Sequence, residues 1–131
     1  MDEIFDQLKE WSQREDSFSI RDYAEEIGVP YKKILELSKE NEDWGLKLEM
    51  ARGSIACRAE LTKYFRDKSD NERSRCMYEN DLFFRAWLEE EEGIEIPDDP
   101  DEFDVWVEER IAKDNAELVA LNKPKTKRGD H

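Results

Sequence analysis

The stretch from Ser19 to Leu37 most constrains the fold, because its pattern is typical of two short helices joined by a tight turn. Ser19 is a preferred helix-capping residue, and apolar residues then recur at steps of three and four up to Ile27. Gly28 provides a residue that tolerates the left-handed backbone at a helix end, and Pro30 suits the start of a new helix. The stretch therefore predicts a helix-turn-helix unit whose two helices pack closely.

The second predicted helix carries polar residues on the face that would point away from the first helix. In a DNA-binding helix-turn-helix, we expect lysines on this face to contact phosphates and a tyrosine to contact a sugar or base edge. The alternative is a plain helical hairpin that binds no nucleic acid. The candidate DNA-binding residues are Tyr31, Lys32, Lys33 and Lys39.

The composition predicts an all-α protein with a modest core. Of the 131 residues, 43% are charged, 37% are hydrophobic, and only 5 are glycine and 4 proline. A core of this size is expected to be completed by oligomerisation. The sequence contains no apolar run of about 18 residues, and its acidic, amphipathic start is unlike a signal peptide, so we expect a cytoplasmic protein without a membrane span.

The net charge of −14 is unevenly distributed. Residues 31–75 carry 9 acidic and 11 basic residues, whereas residues 76–121 carry 16 acidic and 3 basic residues. The overall acidity argues against tight, non-specific DNA binding by a monomer. It is compatible with a local basic footprint that an oligomer would multiply.

Residues 42–92 are predicted to form a long helical hairpin that mediates oligomerisation. Its first helix is expected over about 44–67 with a heptad-like apolar seam, and its second over about 71–91 with an aromatic cluster. Such a cluster is too large for a lone hairpin to bury, which favours a subunit interface over an intramolecular core. The candidate interface residues are Trp44, Leu48, Ile55, Phe83, Phe84 and Trp87.

Residues 93–131 are predicted to comprise an acidic linker, a last helix and a basic tail, following a helix-turn-helix region at 1–41. Asp99 suits a helix cap and Pro100 the first helical position. The last helix is amphipathic, so it docks either on its own subunit or on a partner. The end of the chain, NKPKTKRGDH, is expected to be a flexible tail.

The chain lacks the residues that most enzymes use. Its single histidine is His131, and it has no glycine-rich phosphate loop, no nucleophile elbow and no metal-binding motif. We expect Cys57 and Cys76 to be buried thiols and not a disulfide, without partners for a metal site. The sequence therefore predicts a protein without catalytic activity, cofactor or metal.

The order of these segments resembles the small terminase subunits of tailed bacteriophages. The resemblance rests on YAEEIGVPYKKILELSKEN (Tyr23 to Asn41), on EDWGLKLEMARGSIACRAEL (Glu42 to Leu61) and on the second hairpin arm up to Trp87. It implies an N-terminal helix-turn-helix, a hairpin that builds a ring, and a C-terminal segment that engages the large terminase. It also implies a role: recognising viral double-stranded DNA and presenting it to the large subunit, which holds the ATPase and nuclease.

The resemblance assigns the last helix and tail to binding of the large terminase subunit. Two other functions fit the sequence: a dimeric helix-turn-helix transcription regulator, and an acidic protein-interaction module such as a DNA-mimicking inhibitor. The residues that the resemblance places at the large subunit are Phe103, Trp106, Ile111, Lys125, Lys127 and Arg128.

Overall fold

The computed structural model describes the backbone of residues 2–129 and the side chains of residues 2–121. Within this range the protein is all-helical, as the sequence predicts, and contains no strand. The chain divides into two compact units, Met1–Glu95 and Ile96–His131. The helices are α1 (Asp2–Trp11), α2 (Ile20–Ile27), α3 (Tyr31–Glu40), α4 (Glu42–Ala59), α5 (Lys63–Arg66), α6 (Asp70–Asn80), α7 (Leu82–Glu92) and α8 (Pro100–Gly129).

Helix α4 lies at the centre of the first unit. One side of it packs against α1, α3 and α6. The buried residues on this side recur at steps of three and four, which is the spacing of a single helical face. Small alanines among them let the neighbouring helices approach closely. These buried residues are Leu48, Ala51, Ile55 and Ala59. Ala56, next to Ile55, is also buried.

Helix α1 packs across the start of α4 through an aromatic stack. The rings of Phe5 and Trp44 lie 5.3 Å apart and are nearly parallel. The indole Nε1 of Trp44 donates a hydrogen bond of 2.6 Å to Asp2, and Lys47 forms an ion pair of 2.7 Å with Asp6. Helices α1 and α4 are therefore joined by this aromatic stack, with a hydrogen bond and an ion pair beside it.

Local capping residues set two further helix boundaries of the first unit. Asn41 ends α3 and begins α4, and its side chain accepts hydrogen bonds from the backbone N–H groups of Asp43 and Trp44. Ser69 begins α6 through a capping box with Glu72. Each of these caps depends only on residues within one helical turn.

Each arm of the predicted hairpin differs from the continuous helix that the sequence indicates. The first arm stops at Ala59 and resumes as the short α5, where Thr62 accepts a hydrogen bond from the backbone N–H of Phe65. This break lets the Phe65 ring pack near that of Phe18, with centroids 5.9 Å apart. The second arm breaks at Asp81, whose extended backbone ends α6 and whose carboxylate caps α7.

The second unit consists of the end of the linker and α8. Asp99 accepts hydrogen bonds of 3.1 Å from the backbone N–H groups of Asp101 and Glu102, so the predicted cap and the position of Pro100 are confirmed. The backbone of α8 is helical to Gly129, which includes most of the segment predicted to be a flexible tail. None of the helices in the described part of the chain combines the length and apolar character that a membrane span requires.

Two glycines within α4 have different surroundings. A Cβ added at Gly45 would lie 2.8 Å from the backbone oxygen of Ser38, so α3 and α4 cross here with no room for a side chain. A Cβ added at Gly53 would meet nothing within 4 Å. The close contact between helices is therefore at Gly45 and not at Gly53.

Replacing each of these glycines with alanine is expected to change stability in opposite directions. Gly45→Ala should lower the free energy of unfolding by about 1–3 kcal/mol, because the new methyl group forces the α3–α4 crossing apart. Gly53→Ala should raise it by up to about 1 kcal/mol, because alanine favours the helix and has space there. Urea unfolding followed by circular dichroism measures both; equal effects would contradict the close crossing at Gly45.

Candidate nucleic-acid interface

The turn between α2 and α3 has the geometry that the sequence predicts. Gly28 adopts a left-handed backbone with φ 72°, and its N–H and that of Val29 bond to the last carbonyls of α2. Pro30 precedes α3, and its carbonyl accepts from the backbone N–H groups of Lys33 and Ile34. Because only glycine adopts this conformation at little cost, the turn sets the direction in which α3 leaves α2.

Helices α2 and α3 pack together through buried apolar residues of both helices. Ala24 on α2 is buried opposite Ile34 and Leu37 on α3, in the same core. The hydroxyl of Tyr23 donates a hydrogen bond of 2.6 Å to the carbonyl of Ile4, which ties α2 to α1. Helix α3 is therefore held on one side by apolar packing, and its polar side faces outward.

Helix α6 holds the residues just before α2, a contact that the sequence does not indicate. The buried carboxylate of Glu79 accepts a hydrogen bond of 2.7 Å from the hydroxyl of Ser19, the α2 cap. The side-chain amide of Asn80 donates a bond of 3.0 Å to the carbonyl of Phe18. These contacts join residues 60 or more positions apart, so no local pattern could reveal them.

Tyr31 lies half-buried at the start of α3 and contacts two arginines. Its hydroxyl accepts a hydrogen bond of 2.9 Å from the Nη2 of Arg52, on α4. The guanidinium of Arg21, on α2, lies 5.1 Å from the centre of its ring. Burial raises the pKa of the Tyr31 hydroxyl, against the nearby positive charge of Arg52. Tyr31 thus links three helices, whereas the sequence places it on the outward face.

The predicted lysines lie on the exposed face of α3. Lys32 and Lys33 are exposed in its first turn, and Lys39 is exposed in its last turn. Together with the arginines beside Tyr31, the first two lysines place four basic side chains around the N-terminal turn of α3. The helix dipole adds partial positive charge at the same end. This region, named here the α3 cationic end, consists of Arg21, Lys32, Lys33 and Arg52.

The predicted interface residues separate into two groups. Leu48 and Ile55 are buried in the core of the first unit, and Trp44 packs on α1, so these side chains already have partners within the chain. On α7, by contrast, Phe83 is 89% exposed and Trp87 is 51% exposed. The third aromatic residue of this helix, Phe84, is half-buried between the rings of Tyr78 and Trp87, with centroids 5.2 and 6.3 Å away.

The predicted partner-binding residues of the last helix also separate by exposure. Phe103 and Ile111 are buried, and Trp106 is half-buried with its ring 6.1 Å from that of Phe103. Other apolar residues of α8 are exposed: Val105, Leu118, Val119 and Leu121. Three predicted residues have side chains outside the described range: Lys125, Lys127 and Arg128.

The two cysteines are free thiols in different environments. Cys76 is buried, as predicted, and burial raises the pKa of its thiol to about 12. Cys57 is exposed, so its predicted burial is wrong. The residue sits on the side of α4 that faces away from the core, and this could not be known before the core side was identified. Among the described residues, no group of three or more histidine, cysteine or acidic side chains is arranged to hold a metal.

Comparison of the chain with protein-family models, with curated proteins and with solved structures finds no match.

Removing the Tyr31 hydroxyl tests the link between α3 and α4. Tyr31→Phe should lower the free energy of unfolding by about 1–3 kcal/mol, because a charged guanidinium loses its hydrogen-bond acceptor. The double variant with Arg52→Met should show coupling, since both changes break the same bond. Urea unfolding of the two single variants and the double variant gives this coupling energy, and strictly additive effects would contradict the contact.

The two thiols should react at different rates. At pH 8, Ellman's reagent should modify Cys57 within seconds to minutes, because the reagent attacks exposed thiolates. Cys76 should react only after denaturant is added, since its thiol is buried and its pKa is about 12. Counting released thionitrobenzoate in Cys57→Ser and Cys76→Ser variants assigns each phase. Fast modification of Cys76 in the native protein would refute its burial.

Proposed function

We propose that this protein is a non-catalytic, small terminase-like subunit that recognises viral double-stranded DNA and presents it to a large packaging subunit. The observation that carries the proposal is the α3 cationic end, which lies next to a tight α2–α3 turn. In a helix-turn-helix, the start of the second helix meets DNA while the first helix crosses the backbone. A DNA phosphate at this end would contact several cationic groups and the positive end of the helix dipole.

In this proposal the residues of the α3 cationic end have different roles. Lys32 and Lys33 are the direct phosphate contacts, because they are exposed and the first turn of α3 contains no acidic residue. Tyr31 positions two arginines: its hydroxyl bonds to Arg52, and its ring lies beneath Arg21. Lys39, at the other end of α3, extends the contact along the duplex.

The proposal requires several copies of the chain to act together. Exposed acidic residues such as Glu36 and Glu40 share α3 with the lysines, so one copy would bind DNA weakly. Several copies on one duplex would convert weak contacts into a strong, salt-sensitive interaction. The exposed rings of Phe83 and Trp87 support self-association, because large aromatic residues are typical interface hot spots.

The second unit is the proposed contact with the large packaging subunit. Helix α8 carries exposed apolar residues that include Leu118 and Leu121. The proposed contact with the large packaging subunit also includes the half-buried ring of Trp106 and three basic residues: Lys125, Lys127 and Arg128. Phe103 and Ile111 are buried and would act by supporting the helix.

A second candidate function is an acidic protein-interaction module. It is favoured by the end of α7, where the exposed Phe83 and Trp87 are followed by the exposed run Glu89 to Glu92. Aromatic side chains next to a block of acidic ones would suit a partner whose apolar surface is bordered by basic residues. This function predicts tight binding to a basic protein and no DNA binding at any salt concentration.

Reversing two charges at the α3 cationic end should abolish DNA binding. The variant Lys32→Glu with Lys33→Glu is expected to lose affinity at least tenfold, because two phosphate contacts become repulsive. In the wild type, the logarithm of affinity should fall steeply with the logarithm of salt concentration. Fluorescence anisotropy with a labelled duplex across a salt series measures both quantities.

The matched control reverses two exposed lysines elsewhere, Lys9→Glu with Lys113→Glu, which changes the net charge equally. This control should retain most of the wild-type affinity. Equal losses in both double variants would show that only total charge matters, and unchanged affinity in Lys32→Glu with Lys33→Glu would remove α3 from the interface. Wild-type protein that binds no duplex even at low salt would favour the interaction module.

A further inference from the structure

A cavity of about 310 Å³ lies between the start of α2, the short α5 and α6. This volume is at the small end of the range of about 300–1,000 Å³ that is typical of ligand sites. The cavity shares no residue with the α3 cationic end, and its walls combine aromatic rings with charged groups. It is named here the α2–α6 cavity, and its lining includes Phe18, Asp22, Tyr64, Lys68, Glu72 and Glu79.

Two aromatic rings of the α2–α6 cavity already hold an ammonium group of this chain. The Nζ of Lys68 lies 4.4 Å from the centre of the Tyr64 ring and 5.5 Å from that of the Phe18 ring. The two rings meet edge to face, with centroids 6.2 Å apart. Because the face of an aromatic ring is negative, a cation within about 6 Å of its centre is attracted to it. The ring pair therefore forms a site that suits a cation.

The charges around the α2–α6 cavity favour a cation as well. Its acidic lining residues are Asp22, Glu72 and the buried Glu79. Its basic lining residues are Lys68 and Arg75. The ammonium of Lys68 lies 4.0 Å from a carboxylate oxygen of Glu72. If this lysine turned away, three carboxylates would line the cavity with one guanidinium, and a ligand cation would restore the balance.

Lys68 is placed so that a ligand can displace its ammonium without moving a helix. The residue lies in the connection between α5 and α6, and its side chain is 27% exposed. A lysine side chain is long and flexible, and its ammonium is well hydrated in water. An ion pair with an exposed carboxylate such as that of Glu72 contributes little to stability. An incoming cation would gain the same rings and carboxylate, and its apolar part would occupy the rest of the cavity.

We propose that the α2–α6 cavity binds a small organic cation, an alkylammonium or alkylguanidinium group about the size of a lysine or arginine side chain, and that Lys68 is the internal group that this ligand displaces. The ligand cation lies against the rings of Phe18 and Tyr64, where the Lys68 ammonium lies in the free protein, and pairs with Glu72. The cation belongs either to a free amine or to a basic side chain of a partner protein. The site acts independently of the proposed DNA recognition.

Removing the internal lysine tests the proposal. The full chain is titrated with n-butylguanidinium chloride, and binding is followed by heteronuclear NMR from the amide signals around the cavity. Lys68→Ala should bind this probe about two- to fivefold more tightly than the wild type, because the competing ammonium is gone. The matched control is Lys63→Ala, which removes a lysine that is 84% exposed on α5, and it should keep the wild-type affinity. An affinity that is equal in Lys68→Ala and the wild type, or no binding by either, would overturn the proposal.

The cation site is tested further in the Lys68→Ala background. Glu72→Gln should weaken binding about two- to fivefold, because the carboxylate becomes neutral. Glutamine also serves in a capping box, so the start of α6 is retained. Tyr64→Leu should weaken binding by a similar factor, since it replaces the ring with an aliphatic group. Circular dichroism checks that each variant is folded, and unchanged affinity in both folded variants would refute the site.

The choice of probe tests which ligand chemistry the α2–α6 cavity accepts. The neutral n-butanol and the anion butyrate should not bind, and binding of butyrate in place of the cation would contradict the proposal. An acetylated and amidated Gly-Arg-Gly peptide distinguishes the two sources of the cation. Binding of this peptide would support a basic side chain of a partner, whereas binding of n-butylguanidinium alone would support a free amine. DNA affinity plays no part in these measurements, so the proposed function and this site can fail separately.

Discussion

The packing of α1, α3 and α6 on the inner side of α4 is the interaction on which the first unit depends. Burying large apolar side chains such as Leu48 and Ile55 stabilises by about 1.5–3 kcal/mol each, more than any surface contact in the unit. The close crossing at Gly45 and the small residue Ala51 allow this packing at short distance. Once α4 is in place, the directions of α2 and α3 follow from the turn at Gly28.

This arrangement also builds the candidate DNA-binding surface from separate parts of the chain. Arg52 reaches Tyr31 only because α4 crosses α3, and Arg21 reaches the same ring only because the α2–α3 turn is tight. Glu79 and Asn80 on α6 then hold the residues that precede α2. The α3 cationic end is therefore coupled to the core, so a change in core packing is expected to alter the orientation of its arginines.

Two helices of the first unit leave large apolar side chains exposed. Leu46 and Met50 on α4, and Phe83 and Trp87 on α7, remain exposed in a chain with 43% charged residues. Exposed apolar patches of this kind are typical of interaction sites.

Helix boundaries could be predicted from the sequence where a local cap sets them. They could not be predicted where contacts with distant residues break a helix. The helix limits at Ser19, Gly28 and Asn41 were predictable, because each cap bonds to backbone groups within one turn. The breaks at Thr62 and Asp81 were not, since apolar spacing continues through both. At Thr62 the break gives the ring of Phe65 a buried position near Phe18, which outweighs the continuation of the helix.

The sequence alone determined that the chain is helical, where the α2–α3 turn lies and which lysines of α3 are exposed, because these depend on periodicity and capping. Only the tertiary structure decided which side of α4 faces the core. Both sides have apolar residues at helical spacing, and the choice depends on helices that are distant in sequence. The tertiary structure likewise decided that Tyr31 lies beside two arginines and not on the outward face. Sequence pattern could not show this, because Arg52 is 21 residues away along the chain.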